Sequence, residues 1–388
     1  MRKEFKKLKD NNSITKILVF ILAIFVIIIV AARYTTDEEF RSYIDTNIFK
    51  RQVEESTLNT IEIDSDANPS IYAYDKYIAV LNKNTLTEYS SEGNVIAKLD
   101  VNISVPLVDT NEKYMVLAED GGQRVYLISG SNILWTTTVE GSISRVDVNK
   151  NGYVSIVITD TIYKSVVAFF DLSGKELFRN YVPTNYAVCT SISTNNEYLA
   201  IGEIDYSGTI IKSYVKIISA DLAQTDPENS TIYIYEAENG EIITNINYQD
   251  KDIAVCMFNS YIQKVTTDSN ERLYDITGND LFIDINLKEG VAIIDKQSSG
   301  LFSYEYEMTI KNPHTKSDSL FILDSDLPKT ISVSGNVMAL NLGNEVKIVN
   351  SSGWPLKNYT SSKQIKGLVV GDSIAGIIYK NKIEIVKF

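Results

Sequence analysis

The sequence predicts an all-β protein, a β-propeller that follows a transmembrane helix and a short juxtamembrane helix. Two features favour this fold class. From about residue 60, a polar turn followed by an apolar strand recurs at intervals that range from 37 residues (Tyr77 to Tyr114) to 55 residues (Tyr198 to Ile253). In addition, Tyr is abundant (24) and Pro is scarce (7). Short runs of β-prone residues alternate with Asn, Asp, Gly and Ser, as strands and turns require.

The repeat has eight units. Their turn-and-strand segments are AYDKYIAVL, DTNEKYMVLA, VNKNGYVSIV, STNNEYLAIG, YQDKDIAVCM, LKEGVAII, VSGNVMAL and VVGDSIAGI. A second turn, as in ISGSNILWTT and DLSGKELFRN, often precedes the last strand of a unit. Four short strands in roughly 40 residues are typical of a propeller blade. The sequence therefore predicts eight blades. Seven blades is the alternative, because units four to six are irregular.

The two ends of the propeller are expected to pair. The last unit contains only three strands, and the segment NTIEID at residues 59–64 can supply the fourth. Pairing of the ends closes the ring and removes an exposed sheet edge.

The N-terminal region predicts a membrane anchor. Residues 17–32, ILVFILAIFVIIIVAA, carry no charge, and Tyr34 extends the span to residues 17–34. Six basic residues precede this segment, so the positive-inside rule places residues 1–16 in the cytoplasm and the large domain outside the cell. The bilayer is then one partner, through residues 17–34. A cleaved signal peptide is the competing interpretation.

Residues 35–58 are predicted to form a juxtamembrane helical stalk, and residues 59–388 the propeller. Thr36 and Glu39 match a capping box, and Phe40, Ile44 and Ile48 repeat every four residues. Three apolar positions are too few for a coiled coil, so the stalk is expected to act as a spacer.

The charge of the chain restricts its possible partners, and its cysteine content restricts its possible disulfides. After residue 16 the chain carries 31 basic and 48 acidic side chains, a net charge of −17. Nucleic acid is therefore not expected as a partner, because its binding requires clustered Lys and Arg. Cys189 and Cys256 lie in apolar runs, which favours two buried thiols over the alternative of one structural disulfide.

No motif predicts catalysis or a bound metal or cofactor. His314 is the only histidine, so it cannot build a typical zinc site. The segment DVNKNG (Asp147–Gly152) begins like a calcium loop but has Ile158 at position twelve, and DSDANPSIYAYD has Pro69 where the loop needs Gly. Both segments are better explained as turns. We therefore expect no enzyme activity and no cofactor.

The charged leader, apolar helix, acidic stalk and turns such as DLSGKEL (171–177) resemble an uncharacterised family of clostridial single-pass membrane proteins. That family has a propeller related to the PQQ-like and WD40-like groups. The resemblance implies the fold and no activity. Only Trp135 and Trp354 are present, so the Trp-bearing repeats of quinoproteins are nearly absent and quinone binding is not implied.

The expected function is a membrane-anchored extracellular binding or scaffold module that engages another envelope protein or a cell-wall polymer. The alternative is a carbohydrate-active hydrolase or lyase that uses the mouth of the channel. Two long polar connections, in units four and six, are expected to emerge on the same face and to contact the partner. Their candidate residues are Asp221, Asp226, Glu228, Lys311, His314 and Lys316.

Overall fold

The computed structural model describes residues 2–37, 58–160, 162–298, 304–315, 318–323 and 327–388, with isolated positions between 38 and 57. Helix α1 (Arg2–Thr36) contains both the predicted basic leader and the apolar segment. Its part from Val19 to Thr36 has a mean hydropathy of 2.4 and is not buried against the protein. Within the described residues, this is the one helix long and apolar enough to cross a bilayer.

The predicted juxtamembrane stalk, residues 35–58, lies mainly outside the described residues. At its start, the Arg33 guanidinium lies 3.2 Å from the Asp37 carboxylate. Asp37 Oδ1 also accepts a 2.9 Å hydrogen bond from the backbone N–H of Phe40, as a side chain that caps a helix N-terminus does.

The described part of the chain forms eight four-stranded antiparallel sheets. Strand β1 (Asn59–Glu62) belongs to blade 8, together with β30 Gly367–Val370, β31 Ile374–Ile378 and β32 Lys382–Lys387. Blades 1 to 4 consist of β2 Ser70–Tyr74, β3 Tyr77–Asn82, β4 Thr85–Tyr89 and β5 Val95–Asp100; β6 Pro106–Asn111, β7 Tyr114–Glu119, β8 Arg124–Ser129 and β9 Asn132–Thr138; β10 Ser142–Val148, β11 Val154–Thr159, β12 Ser165–Phe170 and β13 Glu176–Val182; and β14 Tyr186–Ile192, β15 Tyr198–Asp205, β16 Lys212–Ser219 and β17 Thr231–Glu236. Blades 5 to 7 consist of β18 Ile243–Tyr248, β19 Ala254–Phe258, β20 Tyr261–Val265 and β21 Asn270–Asp275; β22 Asp280–Asp284, β23 Val291–Ser298, β24 Tyr304–Lys311 and β25 Asp318–Ile322; and β26 Thr330–Ser334, β27 Val337–Asn341, β28 Glu345–Asn350 and β29 Pro355–Thr360.

Blade 8 is completed by β1, as the sequence predicts. Strand β1 pairs antiparallel with β32, and Ile61 lies opposite Ile383. The chain therefore forms an eight-bladed propeller that is closed by pairing of its first and last strands, and the seven-blade alternative is wrong.

The first strand of each blade is the innermost one. The first strands of neighbouring blades contact each other, as β6 does with β10 and β14 with β18. Because strand direction alternates, the connections between strands one and two and between strands three and four lie on one side of the disc. The chain enters β1 on that side, where Asn59 Nδ2 donates to the carbonyl oxygen of Ser91 in the last turn of blade 1. We call this side the N-terminal face and the other side the opposite face.

The predicted polar turns have a common backbone geometry. In the turn between strands one and two, Asp75 and Glu112 have φ of 48° and Asn196 has φ of 67°. This left-handed conformation favours Asn, Asp and Gly. In the DLSGKEL turn, Gly174 has φ of 81°, and a Cβ there would lie 2.7 Å from the indole of Trp135.

Apolar side chains fill the space between neighbouring blades. Cys189 on β14 and Cys256 on β19 lie in the same cluster, between blades 4 and 5. Both thiols are free and buried, so the structure supports the predicted buried thiols rather than the disulfide. Burial raises the pKa of the Cys189 thiol to about 12, which makes it unreactive at neutral pH.

Candidate functional site

A polar cavity lies at the centre of the N-terminal face, at the mouth of the channel. It has a volume of about 430 Å³ and is lined by the ends of first strands and the turns that follow them. Its ionisable side chains include Asp109, Asp147, Arg145, Asp250, Lys288 and His314. A polar, concave site at the axis of a propeller is a candidate for ligand or partner binding.

A series of hydrogen bonds connects neighbouring blades inside this cavity. Asp109 Oδ2 on β6 accepts from the backbone N–H of Val148 on β10, at 2.8 Å. Asp147 Oδ2 on β10 accepts in the same way from Ile192 on β14, at 3.1 Å. One blade further, Ser191 Oγ accepts from the N–H of Tyr248, at 2.9 Å. The same position of the repeat thus connects the inner strands of blades 2 and 3, 3 and 4, and 4 and 5, which is a structural role for both aspartates.

Protein surrounds both carboxylates on the wall of the narrow channel, although each remains partly open to water. Desolvation raises the pKa of Asp109 to about 6. Desolvation also raises the pKa of Asp147 well above its usual range, and the Asp109 charge adds to this effect. The nearby Arg145 charge opposes the rise in both pKa values. Arg145 itself donates from Nη2 to Asn245 Oδ1 across the channel, at 3.2 Å.

These pKa shifts predict a pH-dependent stability. A folded-state pKa above the unfolded value of about 3.9 means that the folded protein binds the proton more tightly. The stabilisation is therefore present below about pH 4, and for Asp109 it is lost as the pH rises through roughly 4 to 6. Asp147→Asn keeps an acceptor for the Ile192 N–H and removes the charge. We expect it to raise the free energy of unfolding at pH 7 and to change it little at pH 4.

Urea unfolding of the wild-type chain and the variant between pH 4 and pH 8 measures this difference. Asp100→Asn, on the exposed outer strand of blade 1, is the control and should unfold in parallel with the wild type. A constant difference between Asp147→Asn and wild type across this pH range would contradict the assigned shift.

The residues of the DVNKNG segment are engaged in the fold. Asn149 Oδ1 accepts from the N–H groups of Asn151 and Tyr153, at 3.0 and 3.1 Å. The side chains of Asn149 and Asn151 also donate to Asn196 Oδ1 in blade 4, at 2.6 and 2.9 Å. The segment is thus a turn that contacts the next blade. In the described part of the chain, no group of three or more His, Cys, Asp and Glu side chains is placed to hold a metal ion.

Both connections with predicted partner-binding residues join a third strand to a fourth, so both lie on the N-terminal face. The first contains helix α2 (Ala220–Thr225), which packs on β13 of blade 3. Asp221, Asp226 and Glu228 are exposed on it. The buried methyl groups of Ala220 and Ala223 show that this connection belongs to the packed fold and is more than a polar insertion.

The second connection, in blade 6, extends toward the mouth of the channel. His314 lines the cavity, and its Nδ1 lies 4.0 Å from Asp250 Oδ2 on blade 5. Lys311 forms a 2.7 Å ion pair with Asp318 in its own hairpin, and Lys316 lies outside the described residues. The structure therefore brings His314 to the channel mouth and leaves the acidic side chains of the first connection over blades 3 and 4.

The sequence prediction missed the cavity residues Asp109, Asp147 and Arg145. The aspartates occupy the same position in adjacent repeats, VDTN and VDVN. Alignment of the repeat units is the signal that could have identified them.

Fold and site together define an eight-bladed propeller with a polar cavity at the mouth of its channel. The chain belongs to a family of unknown function (DUF5711), which matches residues 49–388. No curated protein sequence matches the chain.

Several solved structures are similar in fold. BamB from Moraxella catarrhalis is 10% identical, with 87% of this chain and 99% of that chain covered and a TM-score of 0.47. The Cps50 (Swd1) β-propeller domain from Myceliophteria thermophila is 11% identical, with coverage of 85% and 99% and a TM-score of 0.44. Apo AztD from Citrobacter koseri is 11% identical, with coverage of 77% and 87% and a TM-score of 0.46. Similarity at this level carries no information on function.

Proposed function

We propose that the protein is a membrane-anchored binding module whose extracellular propeller engages another envelope protein or a cell-wall polymer through the N-terminal face. The observation that carries this proposal is the polar cavity of about 430 Å³ at the channel mouth. Loops and turns held on a rigid scaffold are frequent recognition sites, and this cavity is bordered by such turns from several blades.

The charges at the rim of the cavity support binding. Lys288 Nζ lies 4.0 Å from Glu112 Oε1, and His314 Nδ1 lies 4.0 Å from Asp250 Oδ2. The Lys288–Glu112 distance equals the upper limit for an ion pair and both side chains are partly exposed, so their attraction is weak. His314 and Asp250 form an ion pair only when the imidazole is protonated. Each member can therefore exchange its present neighbour for a charge on a partner.

The position of the rim favours a partner close to the membrane. The chain enters β1 on the N-terminal face, and 22 residues separate Thr36 from Asn59. The helical stalk that the sequence predicts here would span about 33 Å. The face that carries the cavity is thus on the same side of the disc as the membrane tether, where another membrane protein can reach it.

Charge reversal at the rim tests the proposal. Asp250→Lys combined with Lys288→Glu keeps the net charge and is expected to abolish co-purification of the partner from gently solubilised membranes. Asp221→Lys with Glu228→Lys tests the connection in blade 4 without removing helix α2. The matched control is Asp100→Lys with Lys98→Glu on the exposed outer strand of blade 1, which should retain the partner. Retention of the partner by the folded Asp250/Lys288 variant would exclude the rim.

The raised pKa values of Asp109 and Asp147 favour a second candidate, a hydrolase or lyase that acts on extracellular polysaccharide. Two neighbouring carboxylates with raised pKa values are groups that such reactions can use. Their hydrogen bonds to the next blade explain the same residues without catalysis, so binding remains the better-supported function. Polysaccharide cleavage by the purified chain that disappears in Asp109→Asn and Asp147→Asn would favour the enzyme.

A further inference from the structure

A buried carboxylate in blade 4 contacts both a lysine and an asparagine. Glu203 lies on β15, and its side chain has no exposed area. Its Oε1 lies 2.8 Å from the Nζ atom of Lys216 on β16. Its Oε2 accepts a hydrogen bond of 2.8 Å from Nδ2 of Asn185, which directly precedes β14. One carboxyl group therefore holds the amine of one residue and the carboxamide of another.

The three side chains meet because their strands are neighbours in the sheet. Strand β15 pairs with β14 on one side, where Ala187 lies opposite Glu203. It pairs with β16 on the other side, where Lys216 lies opposite Ile201. Side chains two residues apart on a strand share a face of the sheet. Lys216 and Asn185 are therefore diagonal neighbours of Glu203 on one face, and they flank it.

The surroundings of the carboxylate are apolar. Ala187 and Ile201 are buried in the cluster that fills the space between blades 3 and 4. Within the described residues, no hydrogen-bond donor is aligned on Glu203 Oε1, although Lys216 Nζ lies beside it, so this oxygen has a lone pair that can take a proton. Proton transfer from Nζ to Oε1 removes both charges and leaves a neutral amine, which is the nucleophilic form of lysine.

The carboxamide of Asn185 is held at both of its ends. Its Nδ2 donates to Glu203, and its Oδ1 accepts a 3.3 Å hydrogen bond from Thr184 Oγ1. A donor at the carbonyl oxygen stabilises the negative charge that develops there when a nucleophile attacks the carbonyl carbon. The carboxyl group that can take a proton from the amine also contacts the nitrogen that would leave. The site thus contains a nucleophile, an acceptor carbonyl, a proton carrier and a donor to the oxyanion.

We propose that Lys216 and Asn185 form an intramolecular amide bond, with Glu203 as the proton carrier. Glu203 takes a proton from the ammonium group, and the neutral Nζ attacks Cγ of Asn185. The Nζ–Cγ bond forms and the Cγ–Nδ2 bond breaks, while Nδ2 receives the proton that Glu203 holds and leaves as ammonia. The carboxylate then takes a second proton from Nζ and passes it to the ammonia. The products are a Lys–Asn amide and one ammonium ion, and no oxidant or cofactor takes part.

The attack requires a movement of the lysine side chain alone. Nζ has to leave its position beside Oε1 and come within about 3.5 Å of Cγ. Lysine has a flexible four-carbon stem, and 27% of the Lys216 side chain is exposed, which gives it room to turn. The amine and the carboxamide already contact the same carboxyl group, so the backbone of blade 4 stays in place.

The bond closes the loop between residues 185 and 216 and ties the segment before β14 to β16. A covalent cross-link of this kind restricts the unfolded chain and thereby stabilises the fold. Cys189 and Cys256 are both free and buried, so no disulfide does this for blade 4. An amide also differs from a disulfide in that reducing conditions do not break it.

Mass spectrometry of the full-length protein detects the bond. We expect the wild-type chain to be lighter than its sequence mass by one ammonia, and we expect trypsin not to cleave after Lys216. Fragmentation of the joined peptides should place the link at Asn185. Lys216→Arg keeps a positive charge beside Glu203 but supplies no amine, and Glu203→Gln removes the proton carrier. Both variants should have their full sequence mass.

Lys212→Arg is the matched control. Lys212 lies on the same strand and forms an exposed 2.8 Å ion pair with Glu236, so this variant should lose one ammonia as the wild type does. A wild-type chain at its full sequence mass, with cleavage after Lys216, would overturn the proposal, and this result does not depend on the folding of any variant. A loss of ammonia that persists in Lys216→Arg would also overturn it, because the loss would then arise elsewhere. Persistence of the link in Glu203→Gln would overturn the role of the carboxylate.

Discussion

Deleting residues 59–64 is expected to lower the unfolding temperature of the propeller far more than the loss of one short strand elsewhere. The deletion removes the outer strand of blade 8 and exposes the edge of β32. Ile61 is 2% exposed and packs in a cluster that also contains Ile78 of blade 1 and Ile383 of blade 8. The change therefore opens a sheet edge and weakens the contact between the first and last blades at once.

A point substitution separates these two effects. Ile61→Ala keeps the backbone of β1 and removes only its buried side chain, so it should cost about 2 to 5 kcal/mol. Thr60→Ala, at an exposed position of the same strand, should change the free energy of unfolding by less than about 0.5 kcal/mol. Thermal unfolding of the deletion, Ile61→Ala and Thr60→Ala variants shows how much stability each change removes. A deletion that unfolds at the same temperature as the parent would contradict closure by β1.

Replacing Ile24 and Ile28 by arginine is expected to abolish stable membrane retention. Both residues lie near the centre of the apolar part of helix α1. Each arginine adds about 2.5 to 3.5 kcal/mol to the cost of inserting the helix. Carbonate extraction of membranes separates inserted from soluble protein. Ile24→Leu with Ile28→Leu is the control and should remain in the membrane fraction. Equal retention of the arginine variant would show that another part of the chain holds the protein there.

The fold was predictable because its repeat can be recognised in the amino-acid sequence. Turn residues recur before each second strand, and positions such as Glu112 and Asn196 adopt the same left-handed backbone. The closing strand was predictable because the last unit lacked a fourth strand and the segment NTIEID, just before the first unit, could supply it. Local periodicity thus determined the blades, and the need to pair every sheet edge determined the ring.

Buried polar pairs could not be predicted in the same way. Glu88 is completely buried, and it accepts a hydrogen bond from the hydroxyl group of Tyr74. Burial raises the pKa of Glu88 to about 7. In the sequence this glutamate looks like any other strand residue, because its partner lies 14 residues away on another strand. Such pairs depend on tertiary packing, which single-sequence patterns do not contain.

The candidate site was likewise only partly predictable from the sequence. Strand order placed His314 on the N-terminal face. Its proximity to Asp250 depends on the position of the blade 6 hairpin relative to blade 5. Asp109 and Asp147 were not recognised, because their importance comes from the channel wall that surrounds them.

Protease treatment of intact protoplasts tests most directly the claim that this propeller is held on a membrane and works outside the cell. The wild-type chain carries one epitope at its N-terminus and another at its C-terminus. We expect the protease to remove the C-terminal epitope while the N-terminal epitope remains protected inside the protoplast. Protection of the C-terminal epitope in intact protoplasts, with digestion only after lysis, would contradict the account.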